Sequence, residues 1–308
     1  MRLRFQPWQL ALLVVALCVA SVGVVRWWRV AETYDAAHLV ALLPAEKATV
    51  VYIDTSLLRR SGLLDLVAGS KAVEEPDYRK FVDQTGFDYR QDLEAVAAAF
   101  VDNHVFITLR GRFQWKQLNV YAESQGGECR YSVCNMPGSS LERNISFYPL
   151  KSDVLALAVS NDPRAVTSIG PGGRKLQLPV PPEPVWMSVP AAVFNHLEGF
   201  PDGTRAFLSP LTRAEKVTFA AGPKGDRLQI RLEVACHNPA AAADLAKQLS
   251  SLTGLLKDMI ERQHMTPNPR DLSGLLVAGK FEQSQSTMTA TWPLERGFIE
   301  AFAAGQIQ

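Results

Sequence analysis

The sequence predicts an α+β protein in which an N-terminal transmembrane helix precedes two split β-α-β, ferredoxin-like repeats with antiparallel sheets. Three observations support this fold class. An apolar run without a charged residue occupies positions 10–25. Two successive series of strand and helix patterns follow it. Between the two series, residues 170–184 are rich in proline and glycine, and proline cannot donate to a strand ladder. The predicted organisation is an anchor at 1–30, a first repeat at 31–169, a linker at 170–184 and a second repeat at 185–308.

Composition and charge place the chain among folded globular proteins. Its 308 residues are 47% hydrophobic and 20% charged, and this length is sufficient for two domains. Four of the 32 basic residues lie in the first 30 positions, which hold no acid, so 28 basic residues stand against 31 acidic ones in the body. A slightly acidic body lacks the basic surface that nucleic acid binding requires, so no nucleic acid partner is expected.

The apolar N-terminal segment is long enough to cross a bilayer. Residues 8–28 span about 31 Å as a helix, which matches a hydrocarbon core of about 30 Å. Tryptophan and arginine prefer the two membrane interfaces. The residues expected there are Trp8, Arg26, Trp27, Trp28 and Arg29. The lipid bilayer is therefore the first expected partner, through residues 8–28.

A cleaved signal peptide is the alternative, because Arg2 and Arg4 precede the apolar run. Cleavage near Ala20 or Ser21 would leave VVRWWR exposed at the new end, which favours an uncleaved signal anchor. Arginines are balanced on the two sides of the segment, and the N-terminal tail is short. We expect a single-pass protein of the cytoplasmic (inner) membrane with a periplasmic body, outside the cytoplasm.

The first repeat is predicted from apolar patterns, helix caps and turn residues. Thr55 or Ser56 caps the helix that follows a buried strand. Asp102-Asn103 forms a two-residue hairpin turn, since both residue types tolerate positive φ. The predicted strands are 49–54, 94–101, 104–110, 128–133, 145–150 and 153–160, and the predicted helices are 56–67, 76–82, 111–123 and 163–169.

The second repeat follows the same order of elements. Apolar residues from Leu228 to Val234 alternate with Gln229, Arg231 and Glu233, which is typical of a half-exposed antiparallel strand. Its hairpin partner precedes it across the turn GPKG. The predicted strands are 184–189, 215–221, 226–234, 275–283 and 286–292, and the predicted helices are 190–198, 238–263 and 294–304.

An internal duplication is predicted from this order. Both series run β-α-β-β-α-β-β-α, apart from an additional element in the first, and the first six elements have the order of the split sandwich. Hairpins that match near Glu94 and Glu215 support the repeat.

Three segments resemble a group of exported or membrane-anchored bacterial proteins of unassigned activity. They are TVVYIDTSLLRRSGLL at 49–64, TGFDYRQDL at 85–93 and RGRFQWKQLNVYA at 110–122. With the N-terminal anchor, they make the first half of the body similar to that group. The resemblance implies the fold and the compartment and assigns no activity.

The chemistry of Cys129 and Cys134 depends on the compartment. An oxidising compartment allows a disulfide. On a straight strand, however, residues five apart lie about 16 Å from each other and face opposite sides. A disulfide therefore requires residues 130–133 to form a tight loop, or a different partner such as Cys236. Free buried thiols, and a redox or metal site that recruits Cys236 and His237, are the alternatives.

Motifs of established chemistry are absent from the sequence. It contains neither a GxSxG elbow nor an HExxH helix. GPGGRK at 170–175 lacks the GK[ST] ending of a phosphate loop and is interpreted as a linker. Asp88 and Asp92 have the spacing of paired carboxylates, but the helix dipole explains acids in a first turn equally simply. No catalytic, cofactor-binding or metal-binding residue is predicted, and no cofactor is expected.

These observations favour a membrane-anchored extracytoplasmic binding or scaffolding module with a protein partner at the membrane surface. An enzyme whose site is assembled from scattered residues is the less favoured alternative. A thiol-based redox or metal protein that uses Cys129, Cys134 and Cys236 is the third hypothesis.

Overall fold

The structure is a computed structural model that describes most of the chain after its N-terminal segment. The described residues are 35–44, 47–68, 76–138, 140, 142–170, 179–195, 205, 208–224, 227–264, 266–268 and 270–303. Internal contacts divide the chain into two units, Met1–Asp35 and Ala36–Gln308, and the features below belong to the second.

The predicted membrane anchor lies outside the described residues. This applies to all of the predicted interface residues, Trp8, Arg26, Trp27, Trp28 and Arg29. Among the residues that the structure does describe, no helix combines the length and the hydropathy that a membrane crossing requires.

Twelve strands form one continuous sheet in which every neighbouring pair is antiparallel. The strands are β1 (Thr49–Ile53), β2 (Leu93–Val101), β3 (His104–Gly111), β4 (Glu128–Arg130), β5 (Val133–Pro137), β6 (Asn144–Lys151), β7 (Val154–Ser160), β8 (Val185–Pro190), β9 (Ala214–Lys224), β10 (Arg227–Cys236), β11 (Lys280–Ser284) and β12 (Thr287–Leu294). Their order across the sheet is β11-β12-β10-β9-β8-β1-β2-β3-β7-β6-β5-β4. The α+β class and its antiparallel sheet are thus confirmed.

The described ranges contain nine α-helices. They are α1 (Ala36–Ala41), α2 (Thr55–Arg60), α3 (Leu63–Ala68), α4 (Pro76–Thr85), α5 (Tyr89–Asp92), α6 (Trp115–Ser124), α7 (Pro239–Arg262), α8 (Leu272–Val277) and α9 (Arg296–Ala303). The N-terminus of helix α7 illustrates how the sequence determines where a helix begins. The side chain of Asn238 accepts a hydrogen bond from the Ala241 N–H, Pro239 begins the helix, and Leu245 and Leu249 face the sheet.

The two halves of the chain place their strands in the same order. The first half contributes β1-β2-β3-β7-β6 and the second half contributes β8-β9-β10-β12-β11, each read outward from the centre of the sheet. In both halves the long helix, α6 or α7, follows the third strand of the series. The first half adds the β4–β5 hairpin at its outer edge.

The split, ferredoxin-like arrangement expected for each half is not clear in this sheet. In a split β-α-β unit, another strand lies between the two strands that the helix connects. Here β1 and β2, which α2 to α5 connect, are direct neighbours, with Tyr52 opposite Ala97. Moreover, the halves do not form separate sandwiches, because β1 pairs with β8 and makes one sheet of both. Strand order depends on pairing between distant segments, and the order of elements along the chain does not determine it.

Two predicted strands have different local structures. ECRYSV is a hairpin, in which β4 and β5 flank a turn at Tyr131 and Ser132. LLVAGKFEQ begins as the end of helix α8, and only Lys280–Ser284 is a strand. Helix α8 forms here because Asp271 caps its N-terminus. The Asp271 side chain accepts hydrogen bonds from the N–H groups of Ser273 and Gly274.

Of the two predicted hairpin turns, one is confirmed and the other is displaced. The two-residue turn Asp102-Asn103 is confirmed, because Val101 pairs with His104 and Asp102 has a φ of 50°. The GPKG turn is displaced, since β9 continues through Pro223 to Lys224. Strand β8 pairs with β9 only as far as Ala221, so Pro223 lies in a part of the strand that has a neighbour on one side, where proline is tolerated.

Each half has its own hydrophobic core beneath its long helix. In the second half, Leu232 and Val234 of β10 pack with Leu245 and Leu249 of α7. In the first half, Leu118 of α6 packs with residues of β5, β6 and β7. Helix α1 contacts β2 and β3, and the Thr108 hydroxyl donates a hydrogen bond of 3.0 Å to the Leu39 carbonyl.

The seam between β1 and β8 is closed by a pair of aromatic residues. Tyr52 and Trp186 lie opposite each other in the register, and their rings stack with centroids 5.7 Å apart. Trp186 is only 1% exposed. Burial of this large side chain therefore stabilises the junction on which the continuity of the sheet depends.

Replacing Trp186 by alanine should lower the free energy of unfolding by about 3–5 kcal/mol, because it leaves a cavity at the seam. Urea unfolding followed by circular dichroism measures this loss. The control is Val193→Ala, which truncates a side chain that is 49% exposed and should cost less than about 0.5 kcal/mol. Equal losses of unfolding free energy in the two variants would show that Trp186 at the seam contributes no more to stability than an exposed side chain does.

Candidate functional site

A groove of about 460 Å³ lies on one face of the second half of the sheet. Its floor is formed by alternate side chains of two neighbouring strands, Gln229 and Arg231 of β10 and Thr289 and Thr291 of β12. These residues alternate with the buried ones that pack on α7, so the groove lies on the opposite face. Its wall is formed by residues 182–184, and this site is called the proline groove below.

The wall of the proline groove is held in place by two close contacts. The Asp54 N–H donates a hydrogen bond of 2.7 Å to the Pro184 carbonyl, which ties the wall to the start of α2. Gly222 of β9 lets the wall approach the sheet, because a Cβ there would lie 2.7 Å from Pro184 Cδ. A side chain at position 222 would therefore displace the wall.

Glu183 and Arg231 form a bidentate ion pair across the groove. Arg231 Nε donates to Glu183 Oε1 at 2.7 Å, and Arg231 Nη2 donates to Glu183 Oε2 at 2.9 Å. Arg231 Nη1 donates to Glu233 Oε2 at 2.6 Å. The side chains of Glu183 and Arg231 are 20% and 25% exposed, so water screens their charges only in part.

The ion pair shifts the acid–base behaviour of both partners. Burial of the Glu183 carboxyl acts to raise its pKa, but the hydrogen bonds and the charge of Arg231 outweigh burial, so the pKa of Glu183 lies below its ordinary value. The hydrogen bond to Glu183 raises the pKa of Arg231 and outweighs the opposite effect of its burial. Both groups are therefore charged at neutral pH and fix the wall to the floor.

The lining of the groove suits a ligand of low net charge that carries both apolar and hydrogen-bonding groups. Glu183 and Glu282 balance Arg231 and Lys224. The hydroxyl groups of the two floor threonines both donate and accept hydrogen bonds, as does the amide of Gln229. Among the described residues, no group of three or more His, Cys, Asp or Glu side chains is placed to hold a metal ion.

Cys129 and Cys134 form a disulfide between β4 and β5. They are opposite each other in the register, with Cα atoms 4.0 Å apart. The tight loop that the sequence required is a two-residue turn in which Tyr131 and Ser132 have φ values of 50° and 68°. This turn reverses the chain directly, which brings the two cysteines to the same face.

Cys236 and His237 lie in the other half of the sheet. Cys236 is buried in the core beneath α7, whereas Cys134 belongs to the core beneath α6. Burial raises the pKa of the Cys236 thiol, and the nearby Glu215 adds to this effect. His237 Nδ1 lies 2.7 Å from Glu215 Oε1 on the surface. The structure therefore does not bring Cys129, Cys134 and Cys236 together.

Asp88 and Asp92 form a local cap and not an open pair of carboxylates. The Asp88 side chain accepts a hydrogen bond from the Arg90 N–H, and the Asp88 N–H donates to Asp92 Oδ2 at 2.9 Å. This reciprocal arrangement begins the short helix α5 and satisfies its first N–H groups.

Glu183 is the site residue that the sequence did not reveal. It lies in residues 170–184, for which the sequence predicts a linker, and residues 171–178 of that segment lie outside the described ranges. The one sequence feature that marks Glu183 is a charged residue enclosed by prolines next to a strand. The alternation in β10 predicts Arg231 on the half-exposed face of the strand, where it lies, but its partner Glu183 is 48 residues away in the chain.

Fold and site together define an α+β protein with a twelve-stranded antiparallel sheet and a groove on one sheet face that is lined by both charged and apolar residues. No family model matches the chain, and no curated protein matches it. Solved structures of the protein TP0453 are similar to it. Crystal form I has a TM-score of 0.49 and 10% identity, and the match covers 89% of this chain and 97% of that chain. Crystal form IV has a TM-score of 0.48 and 12% identity, with 86% and 95% covered.

Replacing Glu183 by glutamine should lower the free energy of unfolding at pH 7 by about 1–3 kcal/mol, because Arg231 loses its charged partner. The Glu183 pKa is depressed in the folded protein, so the stabilisation is complete above the ordinary pKa of about 4.3. It is lost as the pH falls through the depressed value. Urea unfolding at pH 7 and pH 3 should show the difference between wild type and variant shrinking toward zero. Glu282→Gln, in the same groove, is the control and should change stability little at either pH.

Denatured protein should gain two reactive thiols on reduction, because Cys129 and Cys134 are paired. Titration with a thiol reagent in urea, before and after reduction, measures this gain. The double variant C129S/C134S should lack the gain and lose about 2 kcal/mol of stability, the value for closure of so short a loop. Equal thiol counts before and after reduction of the wild type would contradict the disulfide.

Proposed function

We propose that this protein is a membrane-anchored extracytoplasmic binding module whose ligand occupies the proline groove. The observation that carries the proposal is the groove itself, with a wall that a bidentate ion pair fixes to its floor. A wall held in this way is positioned before the ligand arrives, so little conformational entropy is lost on binding.

The placement outside the cytoplasm has two supports. The apolar N-terminal segment has the length and the interface residues of a signal anchor. The disulfide between Cys129 and Cys134 is of a kind that persists in oxidising compartments and is rare in the cytoplasm. Through residues 8–28 the protein would remain attached to the lipid bilayer, with residues 36–308 free to meet a partner.

The ligand is an extended segment of a protein partner. The floor of the groove presents polar side chains at every second residue of β10 and β12, which matches the spacing of an extended chain. Strand β11 lies beside the groove at the edge of the sheet, where its outer side can accept a further strand. Balanced charges in the lining favour a segment with little net charge.

The matching strand order in the two halves supports an origin by internal duplication. The seam between β1 and β8 would then join two copies of one unit. Most of the lining of the proline groove comes from the second half, whereas Leu57 comes from the first half and residues 182–184 come from the connection between the halves.

A photoreactive amino acid at Thr289 should cross-link the full-length protein to its partner in native membranes, since Thr289 lies on the groove floor. Mass spectrometry of the adduct identifies the partner. The control position is Lys257 on α7, which is exposed on the opposite face of the sheet and should give no adduct with that partner. The Gly222→Ala change, which displaces the wall, should reduce the yield at Thr289 at least tenfold. Absence of any adduct specific to Thr289 would overturn the proposal.

A further inference from the structure

A second cavity, of about 120 Å³, lies in the first half of the chain on the side of the sheet that α6 covers. Eleven residues line it, and five of them are aromatic. The aromatic residues are Phe81, Phe87, Phe113, Tyr121 and Phe147. The other six are leucine, isoleucine or methionine, and this site is called the aromatic pocket below.

The lining of the aromatic pocket gives water almost nothing to bind. The Tyr121 hydroxyl is its one polar side-chain group, and an ordered buried water needs two to four polar partners. The pocket therefore favours a hydrocarbon over water. Its volume is comparable to that of an enclosed engineered cavity of about 150 Å³ that takes up benzene, so one small hydrocarbon group fits it.

The aromatic rings around the pocket support one another. Phe81 meets Tyr121 edge to face at 5.1 Å, and Phe87 stacks on Phe113 at 5.2 Å. Phe81 and Phe87 also meet edge to face at 6.4 Å. Each such pair contributes about 0.5–1.5 kcal/mol beyond the burial of its area, so these contacts stabilise the arrangement of the rings.

The pocket is open to solvent although it belongs to a hydrophobic core. Phe81, Phe113 and Met136 pack against the buried residues of this core but are only half-buried themselves. Apolar surface that stays in contact with water is unfavourable in proportion to its area. A ligand that covers this surface would therefore be bound by the hydrophobic effect, and the opening gives it a way in.

A cavity in the second half of the chain has a different lining. It has a volume of about 110 Å³ and lies beside α7, and Arg213, Asp244 and Gln248 contribute to its lining. These two cavities therefore differ in chemistry although the strand order of the two halves is the same.

We propose that the aromatic pocket binds an uncharged hydrocarbon group, either a short alkyl chain or a single aromatic ring without polar substituents. The group enters the opening between α4, α6 and the sheet and contacts the rings of Phe81, Phe113 and Tyr121. Two sources share this chemistry, the end of a lipid acyl chain and a free apolar molecule. The site lies on the opposite face of the sheet from the proline groove and does not depend on the function of that groove.

The test uses the full chain in lipid nanodiscs and two photoreactive probes. One is a free six-carbon alkyl diazirine, and the other is a phosphatidylcholine with a diazirine at the end of one acyl chain. Labelling of peptides that contain residues 81–87 or 113–121 is expected with at least one probe, and the probe that labels identifies the source. Excess toluene should reduce the labelling at least fivefold, because it competes for the same volume.

Two variants that fill the pocket, Leu157→Phe and Met136→Phe, should each reduce the labelling at least tenfold. The control is Val120→Phe, which adds the same ring at a position of α6 that is 57% exposed and should leave the labelling unchanged. Circular dichroism verifies the fold of each variant. If the filling variants fail to fold, the effect of toluene on labelling of the wild type tests the proposal in their place. Labelling that is absent with both probes, or that toluene does not reduce, would overturn the proposal.

Discussion

The pairing of β1 with β8 is the interaction on which the rest of the structure depends. Four residue pairs, with Tyr52 opposite Trp186 among them, join segments that lie more than a hundred residues apart in the chain. Without this pairing, each half would present an open sheet edge, with unpaired N–H and C=O groups that invite association with other chains. With it, the two edges are buried at the centre of a twelve-stranded sheet.

The same junction positions the proline groove. The chain enters β8 from residues 182–184, so the register of β8 against β1 and β9 determines where the groove wall lies. The hydrogen bond from Asp54 to Pro184 comes from the residue that follows β1. The ion pair of Glu183 with Arg231 then fixes the wall at a distance that leaves an open groove. Seam and site are therefore parts of one arrangement.

The two halves use one strand order for different surfaces. In the second half, α7 covers a core with well-buried leucines, and the open face of the sheet carries polar groups. In the first half, the region beneath α4 and α6 is rich in aromatic rings that leave space between them. The additional β4–β5 hairpin, closed by its disulfide, extends this core at the edge of the sheet. The two halves therefore present different side-chain chemistry on the same strand order.

The sequence by itself determined much of the local structure, because that structure depends on residues close together in the chain, although the strand predicted at 275–283 begins as a helix and the GPKG turn is displaced. The alternation from Leu228 to Val234, the Asn238 cap and the Asp102-Asn103 turn each appeared where the residues predicted it. The spacing of Cys129 and Cys134 also showed that their disulfide requires a tight loop between them. It did not show whether that loop forms. Only the tertiary structure decided the order of the strands and the contact of Glu183 with Arg231. Hydrogen bonds and ion pairs between distant segments leave no periodic signal in the chain, so neither the seam nor the groove could be predicted from one sequence.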